Sequence, residues 1–274
     1  MHSVAGELTW LPRLADGLDP QRPLYGFAAP GLNSQESFFP TLKAMAAAYL
    51  HDIREQQPRG PYLIGGYSMG GVVAFEMARQ LEDAAEETGL LVLIDSFAPR
   101  PERSSAIAAW SRNGLLMQVL ANQLALQWGA DELLHSETLR SAPYSEHSVL
   151  VAQHLLKHCQ TRHTYNSLQP YLRRCQTVMR VHAELLSTYL PRRLESPATC
   201  VLFRNTLGLI GKNSALKLPT LPQAERAPPH CWDVLLPRHD TIDIAEEHFL
   251  MGGQTTMTKI AATLNSYLIE GKYD

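Results

Sequence analysis

Cysteine is scarce, with four in 274 residues, and Cys159, Cys175, Cys200 and Cys231 show neither C-x-x-C spacing nor the spacing of zinc ligands. A disulfide framework is therefore excluded as the organising principle, and the four read as reduced thiols. Charge of one sign is also missing. The net charge is −3, and no basic run with interleaved aromatics occurs, so no footprint for a nucleic-acid backbone is present. No apolar run approaches the ~18 residues that a membrane span requires. The start, Met1-His2-Ser3-Val4-Ala5-Gly6-Glu7, lacks the positively charged segment and apolar stretch of a secretory signal. These absences predict a cytoplasmic protein with no nucleic-acid or membrane partner. Internal repeats and low-complexity segments are absent too.

What is present is enough apolar sequence, 45% of the chain, to bury a full core in one domain. Glu7–Gly17 has helical spacing ended by Gly17, and Leu24–Phe27 reads as a short buried strand followed by a loop at 30–34. Phe38–Gln57 carries Phe39, Leu42, Met45, Ala46, Tyr49, Leu50 and Ile53 on one face, which predicts an amphipathic helix closed by Pro58 and Gly60. Tyr62–Tyr67 is a strand, residues 70–82 a helix, and Leu90–Ile94 an unbroken apolar run. A strand without polar alternation is buried on both faces, as in a parallel sheet between helical layers, so the pattern predicts a doubly wound α/β fold.

Between about Phe97 and Ser196 the strand signal gives way to helical spacing at Ile107–Trp128, Ser145–His163 and Leu168–Leu190. The expected division is a core of residues 1–97 and 197–274 with a helical lid at 98–196. The strand pattern returns at Thr199–Phe203. A polar, proline-bearing loop at 208–229 follows, then a strand at Trp232–Leu236 and a final helix from about Gln254 to Leu268.

The chemistry centres on Gly66-x-Ser68-x-Gly70, between a strand and a helix. Small residues there let the chain reverse sharply and push the serine out of the backbone, beside N–H groups at the start of the next helix. A serine hydroxyl needs a base, and the base needs an orienting acid. Asp95 ends the Leu90–Ile94 strand, at the same sheet edge as Ser68. Among eleven histidines, His248 follows the last expected strand and precedes the final helix, and His239 is the runner-up. His154 and His158, four apart, with Cys159 and His163 nearby, suggest a metal, but further ligands of clear spacing are lacking. No metal is expected.

The segment Gly60–Leu81 closely resembles the elbow region of thioesterase domains from nonribosomal peptide and polyketide synthases, and Pro23–Leu32 resembles the strand and loop that precede it in that family. The resemblance implies an α/β-hydrolase fold and a chain-release activity. It places the acid at Asp95, the position of the release domains. The family's proofreading thioesterases carry the acid one strand later, where this chain has Phe203-Arg204-Asn205 without an aspartate. Glu247-His248-Phe249 resembles the family's Gly-Asp-His-Phe segment, with Glu246-Glu247 in place of Gly-Asp.

His2–Gly6 resembles the family's His-Pro-x-Gly-Gly loop, which implies that the Val4 and Met69 backbone N–H groups form the oxyanion hole. In the family that loop follows a strand with no counterpart here, which leaves two readings: a chain that starts after the strand, or a sheet built without it. The implied substrate is an acyl or peptidyl thioester on the phosphopantetheine of a carrier protein in the same synthase, with no bound cofactor, released by hydrolysis or macrocyclisation. The triad alone is equally compatible with a free-standing esterase or lipase. The altered histidine segment leaves room for a catalytically silent binding module.

Overall fold

Among the described residues four strands form one sheet in the order β1-β2-β3-β4: β1 Tyr62–Tyr67, β2 Thr88–Ile94, β3 Thr199–Asn205 and β4 Asp240–Ile244. All three pairings are parallel. The computed structural model describes residues 1–33, 37–195, 198–210, 214–218, 230–236 and 238–270, with backbone alone at 101–105 and 270. Ser34 and most of the expected loop at 208–229 lie outside the described residues.

The period-two geometry of β2 explains its unbroken apolar sequence, because each face meets its own helical layer. Leu91 and Leu93 join the cluster built on helices α2 (Leu42–Gln56) and α3 (Met69–Asp83). Leu90, Val92 and Ile94 join the opposite cluster with Leu14 of α1 (Leu11–Ala15) and with Met257, Ile260 and Leu264 of the final helix (Gln254–Glu270). The expected stripe on α2 is buried at Leu42, Met45, Ala46, Tyr49 and Leu50, and Thr41 caps the helix by accepting the Ala44 N–H at 3.0 Å.

Between β2 and β3 run the helices α4 (Pro101–Arg112), α5 (Leu115–Gln127), α6 (Ser136–Arg140), α7 (His147–His158) and α8 (Tyr165–Thr188). They share a separate apolar core that includes Leu116, Met117, Val151, Leu155, Leu172 and Val178. The final helix is α9. The expected single helix over 107–128 is two, because Gly114 adopts φ +85° and breaks the i→i−4 ladder after Asn113.

Two expected strands do not form. Leu24–Phe27 belongs to no strand of the sheet; Leu24 and Tyr25 are exposed, and the segment lies over the α1 region, where Gly26 faces Leu8 and Leu11. Trp232–Val234 is a 3₁₀ turn, in which buried Trp232 packs on Phe75 and donates its indole N–H to the Ser96 carbonyl at 2.8 Å. The strand is Asp240–Ile244 instead. Among the described residues it forms an edge, pairing only with β3, and its polar residues are exposed. No helix among the described residues is long and apolar enough to cross a membrane.

Candidate active site

Ser68 sits at the tip of the turn from β1 into α3, with φ +57° and ψ −120°. Such a conformation costs on the order of 1–3 kcal/mol and persists because its surroundings fix it. The Ser68 N–H donates to the Ile94 carbonyl at 2.9 Å, which ties the turn to the end of β2. Only glycine fits at 66, where a Cβ would lie 2.2 Å from the Gly70 carbonyl group, and at 70, where it would lie 2.3 Å from the Met1 carbonyl oxygen. The two glycines of the motif let the strand, the helix and the N-terminal loop converge beneath the serine.

The structure brings Ser68, His248 and Asp95 into one hydrogen-bonded chain. Ser68 Oγ lies 3.0 Å from His248 Nε2, and His248 Nδ1 lies 2.8 Å from Asp95 Oδ2. A carboxylate can only accept, so Nδ1 carries the proton and Nε2 presents a lone pair to the serine hydroxyl. His248 stands on a 3₁₀ turn (His248–Leu250) just before α9. Its backbone carbonyl accepts the Tyr67 hydroxyl, and its ring lies among Tyr67, Phe97 and Phe249. Burial, with the Asp95 charge beside it, raises the Tyr67 phenol well above its ordinary value, so it stays a neutral donor.

Asp95 is 0% exposed and itself adopts φ +44°. Burial alone would raise its pKa. Electrostatic attraction to the His248 imidazole and the hydrogen bonds from His230 and His248 overcome that, and the carboxyl is held below the usual range. Two of its partners were not singled out from the sequence as site residues. His230 Nε2 lies 2.7 Å from Oδ1, and Asn205 donates through Nδ2 to both oxygens at 2.7 Å and through its backbone N–H to Oδ1 at 3.1 Å. Asn205 ends β3, beside Asp95 at the end of β2, so strand order offered a signal for it. Nothing in the sequence around His230 did.

The N-terminal loop is held on several sides. The Met1 nitrogen donates to the Gly65 carbonyl at 2.8 Å, and His2, fully buried, lies 2.9 Å from the Tyr49 hydroxyl. The His2 ring stacks on His182 of α8 at 4.8 Å, and His182 Nδ1 donates to the Val4 carbonyl at 2.9 Å. Burial lowers the His182 pKa to about 4 and, with the nearby His182, pushes that of His2 well down. Met69 is the first residue of α3, so its N–H belongs to the donors that a helix start leaves without intrahelical partners.

The remaining histidines stand elsewhere. His239 lies 3.7 Å from Asp233 and takes no part in the chain. His158 pairs with Asp131 at 3.0 Å, and His154 lies 3.2 Å from the Glu132 carbonyl. Among the described residues no group of three or more His, Cys, Asp or Glu side chains is arranged to hold a metal ion.

A nucleophile, a base with a free lone pair, an ionised buried acid and a helix start make an arrangement suited to acyl transfer. The family model described as "Thioesterase domain" matches residues 2–184. The chain is 42% identical over 94 residues to a dimodular nonribosomal peptide synthase of Bacillus subtilis, covering 34% of this chain and 4% of that protein. It is 34% identical over 136 residues to the non-reducing polyketide synthase ntnG of Nectria sp, covering 50% and 6%. The chain thus spans a small fraction of the length of these relatives. Among solved structures, the NocB thioesterase domain in covalent complex with a fluorophosphonate nocardicin G analog superposes with a TM-score of 0.60 at 20% identity, covering 97% of this chain and 92% of that one. A four-domain nonribosomal peptide synthetase bound to AMP and glycine gives 0.69 at 20% identity, covering 97% and 19%. These likenesses carry the fold: a parallel sheet between helices, of the α/β-hydrolase kind.

Proposed function

The chain belongs to the thioesterase-domain family, and on that premise we propose that it releases an acyl or peptidyl chain from the phosphopantetheine arm of a carrier protein through an acyl-enzyme on Ser68. The observation that carries the reading is the unbroken chain from Ser68 Oγ through His248 to Asp95, at 3.0 and 2.8 Å.

In the proposed reaction His248 Nε2 takes the Ser68 proton as Oγ attacks the thioester carbonyl. The oxyanion is met by the N–H groups of Val4 and Met69. Collapse breaks the C–S bond, and the proton on His248 passes to the departing thiolate. A second nucleophile, water or a hydroxyl or amine of the chain itself, then gives its proton to His248 and attacks the ester, and Ser68 is regenerated. The pantetheine belongs to the substrate, and the protein's own side chains supply the acid–base chemistry.

We further propose that residues 98–196 act as a lid over the core of 1–97 and 197–274. Two contacts support this: His182 of α8 holds the Val4 carbonyl, and Gln123 of α5 donates to the Phe249 carbonyl, next to His248. The similar domain solved as a covalent fluorophosphonate complex supplies the probe. Incubation with a fluorophosphonate, and separately with an acyl thioester loaded on a carrier protein, is expected to add the reagent or acyl mass on Ser68. Absence of label on Ser68, or an unchanged rate in Ser68→Ala, overturns the acyl-transfer reading. Turnover of small soluble esters as fast as of the carrier-bound thioester would identify an esterase instead.

A further inference from the structure

The two oxygens of Asp95 are divided between two imidazoles. His248 holds Oδ2 at 2.8 Å, and His230 holds Oδ1 at 2.7 Å from the opposite end of the carboxylate. Serine acyl transfer needs one histidine, and the second has its own built seat. Its backbone carbonyl accepts the Ala98 N–H at 2.8 Å, and its ring stacks on Phe97 at 4.3 Å and 14°. Phe97 also packs against the His248 ring at 5.3 Å, so one aromatic side chain lies against both imidazoles. His230 further lines a cavity of about 290 Å³ with Arg204, Asn205, Trp232 and His239 among its walls, on the side of the acid served by β3 and β4.

We infer that His230 is a positioning residue, a second imidazole that acts through Asp95 to set both the orientation of the carboxylate and the basicity of His248. The inference rests on the acyl-transfer reading and adds a residue to it. Asn205 donates to both oxygens, and His230 adds a ring donor to Oδ1, so that together they fix the carboxylate about its Cβ–Cγ bond with Oδ2 toward the His248 Nδ1–H.

In its neutral form His230 donates Nε2–H to Oδ1 and leaves Asp95 its full negative charge, which stabilises the His248 imidazolium formed during the reaction. Loss of the His230 donor would leave Oδ1 one partner short and loosen the hold on the carboxylate that orients His248. The charged and titratable groups around His230 are Asp95 and His248 themselves, Arg204 and Asp243 from β3 and β4, which pair with each other at 2.7 Å, and Asp233 and His239 in its own segment. The carboxylate in hydrogen-bond contact with the ring is Asp95.

The test compares wild type with His230→Ala and His230→Gln. The glutamine amide can occupy the place of Nε2 and donate to Oδ1, but it cannot titrate. The readouts are kcat/KM on an acyl-pantetheine thioester and the rate of fluorophosphonate labelling of Ser68, both from pH 5 to 9, with thermal melting alongside. His230→Ala is expected to lower both rates by about ten- to a hundred-fold, as loss of an orienting partner does elsewhere, mainly through kcat. His230→Gln, which keeps a donor to Oδ1, is expected to recover most of the wild-type rate. Wild-type rates in His230→Ala with only the melting temperature lowered, or a folded His230→Gln no faster than His230→Ala, overturns the inference. Should His230→Ala not fold, the glutamine variant decides: a rate near wild type upholds the inference and a loss of about ten-fold or more overturns it. Wild-type labelling with an unaffected alanine variant sinks this inference alone, whereas no labelling of wild type sinks the acyl-transfer reading and takes this inference with it.

Discussion

His182 offers a quantitative test of how the N-terminal loop is held. It is fully buried, stacked on His2 and bonded to the Val4 carbonyl, and burial takes its pKa from 6.5 to about 4. In the unfolded chain the group returns to its ordinary value. As pH falls through 6.5 the unfolded state takes up a proton that the folded state refuses, so stability present above 6.5 is lost progressively toward pH 4, with no further loss below. At pH 5, 1.5 units below the ordinary value, the loss from this one group is about 2 kcal/mol relative to neutral pH, at 1.36 kcal/mol per unit.

His182→Asn isolates that contribution, because the asparagine amide sits near the position of Nδ1 and can still donate to Val4 without titrating. Urea unfolding followed by circular dichroism at pH 7 and pH 5 should show wild type losing about 2 kcal/mol more than the variant over that interval. His2, lowered by burial and by His182, titrates in both proteins and largely drops out of the difference. Equal losses in the two proteins would refute the assignment of His182 as a neutral clamp on the Val4 loop.

Three further outcomes are expected. His248→Ala should lose acyl transfer by about a thousandfold or more, while His239→Ala, which pairs only with Asp233 among the contacts seen, should keep it; full activity in His248→Ala would overturn the choice of base. Tyr189→Phe should cost about 1–3 kcal/mol in urea unfolding with Ser68 labelling unchanged, because the Tyr189 hydroxyl donates to buried Glu76 at 2.7 Å and the carboxylate would lose that partner. Gly66→Ala should abolish Ser68 labelling, or the folded protein altogether, since the added methyl would meet the Gly70 backbone at 2.2 Å; an active, stable alanine variant would refute the steric account of the elbow.

The elbow was legible because its requirements are local: a strand, a crowded turn and a helix follow one another within Tyr62–Asp83. Asp95 was legible from strand order, and His248 from its place before the last helix. The two errors share one cause, since an apolar run reports burial and not pairing. Trp232, Leu235 and Leu236 are apolar because they are buried in the cluster with Phe75, whereas β4 carries Asp240 and Asp243 on an exposed edge and hides in the sequence as a polar loop. Leu24–Phe27 has strand composition, but among the described residues β1 pairs in the sheet with β2 alone. His230 lay out of reach of any local pattern, because its role is set by a contact with Asp95, 135 positions away.

The sheet pairs Leu90 with Thr199 and Ile94 with Phe203, so the two strands that seat the acid meet only after the chain has closed the whole helical excursion between them. Loop closure of that length is entropically costly and slow. The serine turn can form from neighbouring residues, but the Asn205 side of the Asp95 seat cannot exist until β3 has docked. Competence for acyl transfer should therefore be among the last properties acquired in refolding, and a reagent that reads Ser68 reactivity doubles as a clock for completion of the sheet.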